Sequence, residues 1–250
     1  MLYMLFCFRR KQFVSKREEK KMDMSPILIS MKTASLAIVI TFFLGIGLAQ
    51  WVVTLKHDKL KMIMDGLLTL PLVLPPTVAG FFLLYLFGVK RPIGKFFLEY
   101  FSVKIAFSWG ATILAAVAIS LPLMYRSARG AFEQVDPNIL DAARTLGMSE
   151  WNIFWKLKMQ LALPGIASGG VLAFARGLGE FGATAMIAGN IAGKTRTLPL
   201  AIYSEVAGGR MEQAYGYVAI IVVFSFLVVL LMNYFTMNGQ KQRRVKKRVS

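Results

Sequence analysis

Ala188, Gly193, Lys194 and Thr195 stand at the spacing of a loosened phosphate-binding loop: a small residue, four more, then Gly-Lys-Thr. Such a loop would hold nucleotide phosphates on backbone N–H groups, with the lysine reaching the outer phosphates. It requires a buried strand before it and a helix opening at Gly-Lys-Thr. Here the preceding segment is a long apolar run, and Ala188 occupies the position expected to be glycine. Pro199 follows Thr195 by four residues, where an opening helix would be kinked or stopped. The match is accidental. Gly177 to Gly182, "GLGEFG", imitates a dinucleotide fingerprint and fails the same test; small residues inside an apolar run are expected to let helices pack closely. The sequence therefore offers no catalytic, cofactor-binding or metal-ligating set.

Arg176 and Glu180 are the other residues with chemistry to offer. They are four apart in the run Leu161 to Ala188 and share a helical face. An ionisable group at membrane depth costs about 2.5–3.5 kcal/mol on insertion scales and usually faces a bundle interior or a pathway. Two readings stay open, a structural ion pair between helices and a role in a translocation path.

The elements that must position these residues are membrane spans. Of 250 residues, 56% are hydrophobic and 17% charged, and the mean hydropathy is +0.56. Five apolar runs stand out: Pro26 to Thr54, Gly66 to Phe87, Ile105 to Tyr125, Leu161 to Ala188 and Ala214 to Met237. Each has about 20 residues or more, enough for roughly 30 Å of hydrocarbon. The expected fold is an all-α polytopic bundle of about five spans. Pro71, Pro75 and Pro76 in "LPLVLPPTVAG" must kink or break the second, and Pro122 falls near the end of the third. The lone Cys7 excludes an intrachain disulfide framework. A net charge of +17 could suggest nucleic acid, yet Arg9–Lys21 carries seven basic residues and Lys241–Arg248 six. Charge in tails flanking spans orients helices and meets anionic lipid; no nucleic-acid partner is expected.

The most informative segment is polar. Between the third and fourth runs lies "DPNILDAARTLGMSEWNIFWKLK", Asp136 to Lys158. Asp136 suits an N-cap and Pro137 the first helical position. Ile139, Leu140, Ala143 and Leu146 then form an amphipathic stripe, Gly147 is placed to end the helix, and Ser149 with Glu150 starts another. A short, capped amphipathic helix projecting from a membrane bundle is a knob for another protein's groove.

"DAARTLG" followed by "WNIFWKLK" resembles the EAA loop of binding-protein-dependent ABC importer permeases. "LPLVLPPTVAG", "FARGLGEFGATAMIAGNIAGKTRTLPLAIY" and the order of spans, over about Ser25 to Met237, resemble molybdate permeases of that family. The resemblance implies a type I permease fold with domain limits 26–237, a basic tail at 1–25 and another at 238–250. It implies an ATPase-coupling loop at 136–158 carried by Asp141, Ala142, Ala143 and Gly147, and no nucleotide site of the chain's own. It further implies a homodimer, two cytoplasmic ABC ATPase subunits and an extracellular oxyanion-binding protein. Where the family loop has Glu the chain has Asp141, and where an Ile-x-Leu-Pro ending is usual it has Leu157, Lys158, Met159 and Gln160. Tungstate and sulfate are tetrahedral dianions like molybdate, and an ion-coupled carrier is the rival class.

With the loop cytoplasmic, the C-terminus is cytoplasmic too, and five spans put the N-terminus outside. Basic residues then number 14 on each side, an even split where an inside excess is expected. Without residues 1–21 the outside count falls to 7. Met22 or Met24 is thus the expected start, the tail before them being translated upstream sequence; alternatively it is a true tail whose "MLYMLFCF" dips into the interface.

Overall fold

The computed structural model describes residues 22–249, with side chains to Tyr234. The expectations about residues 1–21 and the start fall outside the described residues. The bundle is built on α1 (Ser25–Thr54), whose first turn is opened by Pro26, and on the span that follows two connections later, α5 (Trp109–Glu133). Both present small residues to each other: Ala34, Ala37 and Ala49 are buried on α1, and Ala111, Ala115, Ala116 and Ala128 on α5. A Cβ added at Gly45 would stand 2.6 Å from Met124 Cγ, so the backbones approach as closely as glycine allows. Hydroxyl pairs fasten the seam: Thr33 Oγ1 is 2.9 Å from Thr112 Oγ1, and Thr41 Oγ1 is 3.2 Å from Ser120 Oγ.

The second apolar run is not one rod. It forms α2 (Asp58–Val73) and α3 (Pro76–Phe87), bent by 111° at Leu74 and Pro75. Pro75 cannot donate a backbone bond, and the residue before it is driven extended, so the break falls where the prolines put it. Pro71 and Pro122, by contrast, sit inside helices. A short aromatic helix, α4 (Pro92–Phe101), joins α3 to α5.

After α5 come α6 (Pro137–Thr145) and α7 (Glu150–Ile153), then a π-helical turn (Phe154–Lys158) leading into α8 (Met159–Leu178). The end of the expected polar segment is therefore continuous with the fourth span. That span also corrects the expectation at its other end. It stops at Leu178 rather than running to Ala188; the chain breaks at Gly179–Phe181 and resumes as α9 (Gly182–Ile187). "GLGEFG" thus makes a helix break, not the interior of a helix. α10 (Leu198–Ala207) and α11 (Met211–Val249) complete the bundle, and Ser30 Oγ of α1 accepts the N–H of Leu198 at 2.7 Å. Among the described residues four helices are long and apolar enough to cross a membrane, five if the bent pair is one span.

Candidate functional site

The projecting loop is built by local chemistry. Asp136 Oδ1 accepts the N–H of Asn138 at 2.9 Å and opens α6. Gly147 closes it at φ +78°, with its own N–H on Arg144 O at 2.9 Å and that of Met148 on Ala143 O at 3.1 Å. These two bonds are a Schellman cap, satisfying carbonyls that the helix end would leave bare. Ser149 Oγ then accepts from Asn152 N–H to start α7. Arg144 straps the two helices together, with Nε 2.6 Å from Glu150 Oε1 and Nη1 2.5 Å from Asp141 Oδ1. The bonds to Glu150 first, and Asp141 second, push its pKa further above the ordinary arginine value.

Of the four loop residues, Ala143 is buried, while Asp141, Ala142 and Gly147 are exposed; the loop meets the core cluster through Leu140. The expected stripe splits. Ile139 and Leu140 are half-buried, but Leu146 is 82% exposed and the loop's Trp151 71%. Large exposed apolar side chains on a capped loop are a candidate contact surface. Trp151 was not singled out in sequence, although a tryptophan in a polar segment was signal enough.

The loop's exit into α8 has its own device. Lys158 is 8% exposed; its Nζ donates to Gln50 Oε1 of α1 at 2.7 Å and sits 5.0 Å from the centre of the Phe132 ring of α5. The π-helical turn adds the residue that swings this lysine inward. Gln160 stands where the family pattern places a proline, and two residues before it the buried Lys158 ties the exit to α1 and α5.

Within the membrane, Arg176 Nη1 lies 2.8 Å from Glu180 Oε2, the glutamate side chain 1% and the arginine 31% exposed. Glu180 is past the end of α8, and its Oε1 accepts the N–H of Ala183 at 2.7 Å, so the same carboxylate caps α9. Its Oε2 has the charge of Arg176 beside it but no aligned hydrogen bond. The two broken spans meet here. A Cβ at Gly80 would stand 2.6 Å from Ala183 Cα, and one at Gly182 would stand 3.0 Å from Pro76 Cβ. Thr77, at the start of α3, is exposed beside this junction.

The stretch 188–197 is not a nucleotide loop. The N–H groups of Lys194, Thr195 and Arg196 all point to Ile191 O, at 3.1, 2.9 and 3.1 Å. Thr195 is buried, its Oγ1 accepting the N–H of Ile191 at 3.0 Å. The amides that would cradle a phosphate are spent on the turn itself, and the next helix opens only at Leu198. Among the described residues no three His, Cys, Asp or Glu side chains gather as a metal site.

Comparison with known proteins places this geometry. The family model described as binding-protein-dependent transport system inner membrane component matches residues 24–239. The molybdenum transport system permease protein ModB of Escherichia coli (strain K12) is 40% identical over 217 residues, 87% of this chain and 94% of that one. The protein of the same name from Mycobacterium tuberculosis (strain H37Rv) is 42% identical over 204 residues, 82% and 76% of the two chains. That of Azotobacter vinelandii is 35% identical over 210 residues, 84% and 92%. Among solved structures, the inward-facing MetNI methionine ABC transporter superposes with a TM-score of 0.68 at 13% identity, covering 87% of this chain and 96% of that one. A bacterial alginate ABC transporter in complex with an alginate-bound periplasmic protein gives 0.66 at 14%, covering 87% and 79%. At these identities the superpositions establish the fold.

Proposed function

The chain belongs to the family of binding-protein-dependent transport system inner membrane components, and from that premise we propose that it is the subunit through which molybdate, or a related tetrahedral oxyanion, enters the cell. The names of its relatives support the anion. The observation that carries the mechanism is the capped loop 136–158 with Leu146 and Trp151 exposed on it. A rigid apolar knob at the end of a span is what a separate ATPase needs in order to push on the membrane domain.

In this reading two copies of the chain line a central path in the plasma membrane, with loop and C-terminus cytoplasmic. Two ABC ATPase subunits each seat a loop through the face around Asp141, Ala142 and Gly147, while Leu140 anchors the loop to the bundle. An extracellular binding protein delivers the oxyanion. Closing of the ATPases drives the two loops together and turns the spans, opening the path alternately to each side. Arg176 is the cation at membrane depth that an entering dianion meets, kept from over-binding it by Glu180. Nothing in the chain breaks a covalent bond; ATP is hydrolysed on the partner.

The test is uptake into proteoliposomes holding this chain with its ATPase, the loaded binding protein outside. Molybdate accumulation that needs internal ATP and stops with vanadate is expected. Vanadate-insensitive uptake driven by an ion gradient would contradict the reading.

A further inference from the structure

The lower half of the broken span, α2, buries none of its residues. Met64 and Leu68 pack partly on the core, but in a membrane such contacts compete with equally apolar lipid. What ties α2 to the bundle is a polar cluster on α5. Tyr125, fully buried, donates its hydroxyl to Asp65 Oδ1 at 3.0 Å, and Arg129 pairs with the same carboxylate. Arg129 Nε also donates to Glu133 Oε1 at 2.9 Å, and Lys61 Nζ lies 3.4 Å from that oxygen. Arg129 therefore bridges two carboxylates on two helices, and α2 is held at two points one turn apart.

The position of the cluster gives it a task. Glu133 is the last residue of α5, and α6 of the projecting loop begins at Pro137. Gln134 and Val135 continue the backbone bonding of α5, to Gly130 O and Phe132 O, so the loop is rooted directly in the helix end that holds α2. At its other end α2 meets the 111° bend at Leu74–Pro75, beyond which α3 is locked against α9. A helix with no fully buried residue, tied at one end and hinged at the other, is a lever.

We propose that Lys61, Asp65, Tyr125, Arg129 and Glu133 form the joint through which movement of the loop 136–158 turns α2 about the Leu74–Pro75 break. These are positioning residues, and the proposal rests on the permease reading above. A network of shared charges suits a joint: it is stiff while intact, and its members act as one unit.

Asp65→Asn, Arg129→Gln and the double variant are compared in the assembled transporter, reading molybdate moved per ATP hydrolysed. Each single change is expected to lower that ratio about tenfold, within the usual range of coupling between sites. The double variant should fall no further, because both changes open the same joint. A wild-type ratio, an additive fall in the double variant, or uptake and hydrolysis falling in proportion would each overturn the joint. If either single variant fails to insert, Tyr125→Phe decides: it keeps the buried ring and removes one bond to Asp65, and an unchanged ratio overturns the joint. A wild-type complex that hydrolyses ATP but moves no oxyanion would overturn the permease reading itself, and the joint with it.

Discussion

Arg176 and Glu180 approach to 2.8 Å although they do not share a helix, for Glu180 stands in the break after Leu178. The carboxylate answers an arginine behind it and a helix N-terminus ahead of it. Glu180→Gln keeps an oxygen for the Ala183 N–H but leaves Arg176 without a counter-charge. We expect a cost of about 1–2 kcal/mol, less than for a fully buried pair because Arg176 is partly exposed. Arg176→Met with Glu180→Gln should regain the insertion yield, read by size-exclusion chromatography of a fluorescent fusion, and still fail in uptake. Recovery of uptake as well would make the pair purely structural.

Gly147→Val should leave insertion intact and cut transport. Its φ of +78° costs a side-chain-bearing residue about 1–2 kcal/mol, more for a β-branched one. The Schellman bonds to Ala143 and Arg144 would be given up first. Gly147→Asn tolerates that φ and should transport nearly as well as wild type. Equal uptake by the valine and asparagine variants would show that the cap does not position the loop.

Gly80→Val tests the junction of the two breaks. With a Cβ 2.6 Å from Ala183 Cα there is backbone, not a flexible tip, to displace. Overpacking of this kind costs about 1–3 kcal/mol, so thermal stability in detergent should fall by several degrees. Gly66→Val, where a Cβ meets nothing within 4 Å, is the control, and an equal loss there would refute the packing argument.

What was legible in the sequence was what local chemistry decides. The caps at Asp136, Gly147 and Ser149 and the proline break at Leu74–Pro75 all formed where residue types demanded them. The break at Glu180 was hidden, because no proline marks it; it arises from Gly182 settling on Pro76 and Ala183 on Gly80, contacts between segments about 100 residues apart in sequence. The i, i+4 spacing of Arg176 and Glu180 found a true pair while assuming a helix that is not there. Lys158 closes a polar segment in the sequence, yet at the end of a π-helical turn it is buried. Its partners Gln50 and Phe132 lie on other helices, beyond the reach of any local pattern. The helices α4 and α10 lie between the apolar runs, and at 10 residues each they are too short to register as spans.

In the proposed function, energy enters through the loop 136–158 from a separate ATPase on the cytoplasmic side. Single cysteines at Leu146 and Lys194, in a Cys7→Ser background, test it with a membrane-impermeant maleimide. Lys194→Cys should label in intact cells. Leu146→Cys should label only after permeabilisation, and then be protected when the ATPase is bound. Labelling of Leu146→Cys in intact cells, or no protection by the ATPase, would contradict it.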